Sequence, residues 1–486
     1  MQWFEAPGYW ASRLLLERSV AAVYAIGFLV AANQFPALLG ERGLLPVPRF
    51  LRLVPFRASP SIFHWHYSDR FLRLLAWAGV ALALSLVAGL PQAGPAWAPM
   101  LAWLVLWALY LSIVNVGQTF YAFGWESLLL EAGFLAVFLG PARLAPPVVV
   151  LWLFRWLLFR LEFGAGLIKL RGDRCWRDLT CLRYHHETQP MPNPLSWYFH
   201  RLPKPVHKLE VLGNHAAQLL APFLLFTPQP FAGAGALVVL VHQSWLILSG
   251  NFSWLNALTI ALAFSALDDR QLGHVFGFLR HGPLAAPPPW FEALVLAAAA
   301  LVVALSWWPA RNLLSRRQLM NASFTPLHLV NTYGAFGSIT RERYEIIFEG
   351  TDEATLTPES TWKEYEFKGK PGDPMRRPPQ VAPYHLRLDW LLWFAAMSPP
   401  IAHPWVVTLA ERLLSGDQAT LKLLRRNPFP AAPPVFLRAR LYRYQFTTWR
   451  ERRRTGAWWT RTLAEEYLPP LRLQQPVGAR RTGAAG

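Results

Sequence analysis

Cysteine is nearly missing from this chain: Cys175 and Cys181 are its only two among 486 residues. That scarcity excludes a disulfide-stapled scaffold, and the spacing of the pair is neither C-x-x-C nor of zinc type. Charge is scarce too, at 16% of residues against roughly 25% in ordinary soluble proteins. A wholly water-exposed surface is hard to build from so few ions. Acidic residues are the rarer sign, 29 against 47 basic, which leaves a formal net charge of +18. No Ser-His-Asp spacing, nucleophile elbow or phosphate-cradling glycine loop stands out, so the common hydrolase and nucleotide sites are not expected.

What the chain has in abundance is apolar surface. Hydrophobic residues make up 53%, yet the mean hydropathy is only +0.21, as if lipid-embedded and aqueous portions were averaged together. Lipid cannot hydrogen-bond backbone, so a span needs about 20 mostly apolar residues in helical form. The windows 19–39, 71–90, 97–116, 147–169, 231–249 and 291–308 qualify, and shorter ones at 125–140, 210–226 and 253–267 are candidates for buried or re-entrant helices. The fold class expected is an α-helical polytopic membrane bundle of 5 to 9 spans over residues 1–311. Many of the 24 tryptophans, such as Trp97, Trp125, Trp254, Trp307 and Trp308, lie at window edges and suit the headgroup layer. Arg13, Glu17 and Arg18 precede a stretch long enough to span, which predicts an uncleaved anchor. The basic excess at 42–73, at 171–208 and beyond 311 falls on one side for nine crossings, but the short windows leave the count, and so the orientation, open.

From about residue 312 the pattern changes to polar and aromatic alternation. Strand-like runs at 344–348, 362–367 and 437–446, with an amphipathic helix at 405–426, predict a soluble, mainly β domain with one helix at 312–470 and a flexible tail at 471–486. The arginines at 450–454 suit an anionic lipid surface, and no nucleic-acid partner is expected.

The most informative chemistry is the charge inside the apolar windows. Arg155, Glu162 and Lys169 are seven apart in succession, so on a helix they form one stripe. Facing lipid, each would cost several kcal/mol, and they must face protein or water. Gly164, Ala165 and Gly166 beside them allow another helix to approach. Glu126, Glu131, His215 and His242 are candidate partners. Two readings follow: a charge network that fixes helix packing, or a polar site with Lys169 at its mouth, for which Lys169, Glu162 and Arg155 are the catalytic candidates. The stretch 171–208 is too polar to cross lipid and too aromatic for a free linker; an interfacial segment with Trp176, Tyr184, Trp197, Tyr198 and Phe199 at the bilayer surface is expected. In a continuous helix Cys175 and Cys181 would stand about 9 Å apart, beyond disulfide reach, so a bridge requires a loop there. A bridge and two buried thiols both remain open. His185, His186 and Glu187 are adjacent, and adjacent ligands rarely meet at one metal, so neither a metal nor another cofactor is expected. Gly334 and Gly337 suggest a tight turn.

Five strings carry a resemblance: FGWESLLLEAGFL (123–135), FGAGLIKLRGDRCWRDLTCLRYHHETQPMPNP (163–194), LVNTYGAFGSITRERYE (329–345), WKEYEFKGKPGD (362–373) and PYHLRLDWLLWFAA (383–396). In order, over nearly the whole chain, they resemble the lipase maturation factor family. The resemblance marks Trp125, Glu126, Arg171, Asp173, Cys175, Trp176, Asp178, Cys181, His186, Glu187, Asn331, Tyr333, Gly334 and Gly337 as motif residues. It implies a membrane-resident factor, in animals of the endoplasmic reticulum, that brings client lipases to their active fold and is not itself a lipase. Animal members carry cysteines flanking the KPGD turn where this chain has Gly369 and Pro379 or a neighbour, which removes a disulfide there. The Ala, Arg, Leu and Pro richness suggests a bacterial source and hence a cytoplasmic membrane. A shorter likeness, Ala165 to Leu170, resembles the lysine-bearing helix of vitamin K-dependent carboxylases, which implies a membrane enzyme as the alternative.

Overall fold

The computed structural model describes residues 3–473, so residues 474–486 of the expected tail lie outside the described residues. Contacts divide the chain into two compact units, one formed by residues up to 342 together with 377–387, the other by 343–376 and from 388 onward. The boundary read from sequence at 312 differs because residues 312–342 are polar in composition yet count with the first unit.

In the first unit, α1 (Trp10–Leu39), α2 (Asp69–Ala88), α3 (Trp97–Asn115), α4 (Gly124–Ala136), α5 (Val148–Arg171), α6 (Leu182–Thr188), α7 (Lys204–His215), α8 (Phe231–Ser249), α9 (Leu255–Ala263) and α10 (Pro289–Leu305) follow in chain order. Among the described residues, five helical stretches are long and apolar enough to cross a membrane: Pro7–Leu39, Asp69–Ala88, Trp97–Asn115, Phe231–Ser249 and Pro289–Leu314. In the last of these only 28% of the most apolar window is buried, which leaves the rest for lipid. This is a multi-pass membrane protein. Helix α5 is also long enough, but its charges set it apart, and most of its residues are buried inside the unit.

Local sequence explains the helix ends. Ser68 caps α2 by accepting from the Phe71 N–H at 3.1 Å, and Gly89 ends it at φ +81°, a left-handed position that favours glycine. Asp268 and Gln271 form a capping box at the start of the helix Asp269–Phe276. Glycine also sets helix spacing: a Cβ at Gly79 of α2 would run into the Phe28 ring of α1, and one at Gly133 of α4 into the Tyr24 hydroxyl. Small residues let these helices meet without lipid between them.

The tryptophans divide into two groups. Trp97, Trp307 and Trp308 are exposed, as the headgroup layer requires, whereas Trp125, Trp176, Trp197 and Trp254 are buried. Burial is satisfied where the indole N–H finds a carbonyl, as Trp254 does at Trp125 O (3.2 Å) and Trp176 at Phe336 O (2.8 Å).

The second unit is built on a four-stranded antiparallel sheet. Its strands are β1 (Arg343–Thr351), β2 (Lys363–Glu364), β3 (Phe436–Phe446) and β4 (Trp459–Leu471), in the order β2-β1-β3-β4. Arg343 pairs with Tyr444 across β1 and β3, and Phe446 with Trp459 across β3 and β4. The expected strand 362–367 is divided, since Glu366–Phe367 leaves this sheet and pairs with Leu424–Arg426. The amphipathic helix ends at Leu414, because Gly416 takes φ +65° and Asp417 caps a new turn. On β1 Glu345 is buried with Arg343 at 2.5 Å and Lys370 at 2.9 Å, which anchors the KPGD turn.

The close packing of α1 and α2 predicts that Gly79→Leu lowers stability by about 1–3 kcal/mol by overpacking. Gly213→Ala, with nothing within 4 Å of the added atom, is expected to be neutral or mildly stabilising. Thermal unfolding of the detergent-solubilised chain followed by tryptophan fluorescence compares the two.

Candidate functional site

Helix α5 is the centre of the charged interior, but its stripe does not act as one group. Arg155 donates to the carbonyls of Ser265 (3.0 Å) and Leu225 (3.4 Å) and lies over the rings of Tyr9 and Trp152. It borders a 290 Å³ cavity that Tyr9, Trp152, Phe226 and Gln229 also line. Glu162 and Lys169 are joined indirectly. Gln218 donates to Glu162 Oε2 at 3.0 Å and accepts from Lys169 Nζ at 2.6 Å. Gln243 donates to the other carboxylate oxygen at 2.6 Å, and Asn214 accepts from Lys169 at 3.1 Å and bonds His242 at 3.2 Å. Gln218 is placed by a π-helical turn, Ala216–Leu220, that follows α7. Both ions are buried, and Lys169 also faces the Trp176 ring, its Nζ 5.0 Å from the ring centroid.

The remaining expected partners go elsewhere. Glu126 forms an ion pair with Arg387 at 2.8 Å and accepts from the Tyr110 hydroxyl at 2.5 Å, so it does not serve the α5 stripe. His215 meets the backbone oxygen of Trp176 at 3.1 Å. Sequence spacing missed Arg387 because it lies more than 250 residues from Glu126, and no local pattern marks such a pairing.

Glu131 and Arg160 are the pair that organises the site. Their buried ion pair is joined by the Asn331 N–H and side-chain amide, each 3.0 Å from Glu131 Oε2, and by the Tyr333 hydroxyl at 2.7 Å. Arg160 also donates to Asn331 O at 2.5 Å. Four donor groups from two distant segments therefore converge on one carboxylate, as a buried charge requires. Gly164 is needed here, since a Cβ on it would strike the Tyr333 carbonyl. The expected tight turn at 331–338 is a short strand, Asn331–Thr332, followed by a loop in which Phe336 takes φ +54°.

That loop reaches the cysteine segment. Gly337 O accepts from the Asp173 N–H at 2.8 Å, and Phe336 O accepts from the Trp176 indole. Asp173 caps the turn Arg174–Arg177 through the Cys175 N–H (3.0 Å) and pairs with Arg341 at 2.9 Å. Slight burial pushes the Asp173 carboxyl up, but the Cys175 N–H and the Arg341 guanidinium outweigh it and hold it below the ordinary aspartate range. Cys175 and Cys181 are joined in a disulfide with Cα atoms 4.8 Å apart, and no continuous helix links them. Trp176, Ile339 and Val211 pack around them. Gly334 lies against Met320, Arg171 donates to Gln318 at 2.8 Å, and Asp178 pairs with Arg174 at the surface. His186 and Glu187 lie beyond the bridge on α6, where Glu187 faces His200 at 3.6 Å.

His328 closes the same loop at its start. Its ring bonds Ser323 (2.6 Å), Ser127 (3.1 Å) and Asn115 (3.1 Å), and burial holds it neutral by lowering its pKa to about 4. The whole constellation is a clamp of loops on a charged helix, with its interior polar groups mostly bound to one another. Glu131→Leu is expected to cost about 3–5 kcal/mol by stranding Arg160 without a counter-ion. Asp178→Asn at the exposed pair should leave the melting temperature of the purified chain unchanged.

Two family models match successive stretches of the chain. Residues 11–274 match the family model described as the lipase maturation factor transmembrane domain, and residues 329–469 match the lipase maturation factor C-terminal domain. The chain is 43% identical to lipase maturation factor 1 of Mus musculus, covering 96% of this chain and 88% of that protein. It is 44% identical to the Homo sapiens protein of the same name, covering 96% and 89%, and 30% identical to lipase maturation factor 2 of Homo sapiens, covering 96% and 83%. No solved structure matches. Nothing in these comparisons favours the carboxylase-like alternative. With both domain models matched and identity sustained from end to end, the chain belongs to the lipase maturation factor family.

Proposed function

We propose that this chain is a membrane-resident maturation factor that assists lipases to reach their active, exportable fold, acting as a folding aid and not as a catalyst. The observation that carries the reading is identity of 43–44% to proteins named lipase maturation factor 1 over 96% of this chain. The bundle serves as anchor, in the endoplasmic reticulum membrane of a eukaryotic cell or the cytoplasmic membrane of a bacterium. The C-terminal domain and the segment 171–208 hold the client. In support, β4 is an edge strand of its sheet among the described residues, and most of its central positions are exposed. Exposed Trp449 and Leu463 lie in a stretch rich in arginine. Such a surface holds an incomplete apolar face or an extended segment while staying soluble.

Against a catalytic role for Lys169, its amine is enclosed and already donates to Asn214 and Gln218. The test is complementation. The chain, expressed in secretory-pathway membranes of cells lacking their own maturation factors, is expected to restore secreted lipase activity well above vector alone. Lys169→Gln, which keeps a hydrogen-bonding side chain, should restore it equally at matched folded levels. Absence of rescue by the folded chain would overturn the reading, and selective loss in folded Lys169→Gln would return the polar site to a catalytic role.

A further inference from the structure

Helices α6 and α7 bring together three side chains of metal-ligating type from two separate segments. His207 and Glu210 are three apart on α7 and so share a face, and His186 of α6 faces them. His207 Nδ1 lies 2.9 Å from Glu210 Oε2, and His186 Nε2 lies 3.8 Å from the same oxygen. One ligand atom from each of the three residues lies within 4.8 Å of the other two. A tetrahedral ion with bonds of about 2.0–2.1 Å spaces its ligands about 3.3 Å apart. The two separations from Glu210 Oε2 bracket that value, and the one between the histidines, no more than 4.8 Å, closes by at most about 1.5 Å as the rings turn onto the ion.

Two further observations point to a ligand. His186 is only 2% exposed, yet neither of its ring nitrogens meets a hydrogen-bond partner among the described residues. A buried polar atom left so is destabilising, and coordination would remove that penalty. The Trp245 indole N–H donates to Glu210 Oε1 at 3.1 Å, which fixes the carboxylate with Oε2 turned to the histidines, the arrangement by which outer partners orient metal ligands. The adjacent residues expected to compete do not: His185 packs on Phe252 and Phe336, and Glu187 faces His200.

We propose that His186, His207 and Glu210 bind a divalent cation of the zinc type, with a fourth position left for water. Two nitrogens and one carboxylate oxygen match zinc better than magnesium or calcium, which prefer all-oxygen shells. The ion ties α6 to α7 just beyond the Cys175–Cys181 bridge, so the segment between α5 and the π-helical turn is held at two points.

The test uses the full chain, purified in detergent with its affinity tag removed, stripped with chelator and dialysed against zinc. Metal analysis is expected to find about one zinc per chain, and X-ray absorption to show nitrogen and oxygen neighbours without sulfur. Glu210→Gln and His186→Asn should retain little zinc. Because either variant risks misfolding, cobalt loading of the unaltered chain provides a second readout, with visible bands of a four-coordinate nitrogen and oxygen site. The proposal fails if the folded chain holds no stoichiometric zinc, if the folded variants hold as much as the parent, or if sulfur appears among the neighbours.

Discussion

Glu131 and Arg160 lie where water does not reach, and the course of the loop that begins at Asn331 follows from that circumstance. An ion removed from water loses several kcal/mol that a single counter-ion rarely returns; further donors must complete the shell. Here they come from residues 331 and 333, some 200 residues further along the chain. Satisfying one carboxylate thus fixes the loop that begins at Asn331. That loop presents Phe336 O and Gly337 O to Trp176 and Asp173, which set the cysteine bridge and the start of α6.

The same solution recurs at three other buried carboxylates among the described residues. Glu126 draws in Arg387 and the Tyr110 hydroxyl, Glu162 takes amides from Gln218 and Gln243, and in the second unit Glu345 holds Arg343 and Lys370. In each case one partner lies far away in sequence, so the acids act as staples between segments that apolar packing alone would leave free to slide. A chain with so few acidic residues has little to spare, and several of those it has are spent in this way. That arrangement suits a folding aid, which must present a steady surface while its client changes shape.

Much of this was legible in the residues. Apolar windows located most of the long helices to within three positions, since twenty apolar residues admit little besides a span, but α1 begins at Trp10, nine residues before its window, and takes in Arg13, Glu17 and Arg18. The family strings marked Asp173, Trp176, Asn331 and Tyr333 before any geometry joined them. Long-range pairing was not legible: helical periodicity placed Arg155, Glu162 and Lys169 on one stripe, but periodicity says nothing of what faces each of them. Window edges likewise predicted interfacial tryptophans at 125 and 254, whereas both are buried, with the Trp254 indole N–H donating to the Trp125 carbonyl. The triad of His186, His207 and Glu210 escaped for the same reason, although the spacing of His207 and Glu210 on one helix was there to be read.

The central claim is that a buried carboxylate holds the 331–341 loop as firmly as the helices. Hydrogen–deuterium exchange on the full-length chain in lipid nanodiscs tests it most directly. The account predicts that the amides of Asn331, Gly334 and Asp173 exchange as slowly as those of α5, far slower than the exposed stretch 278–284. Exchange of those three amides at the rate of that stretch would contradict it.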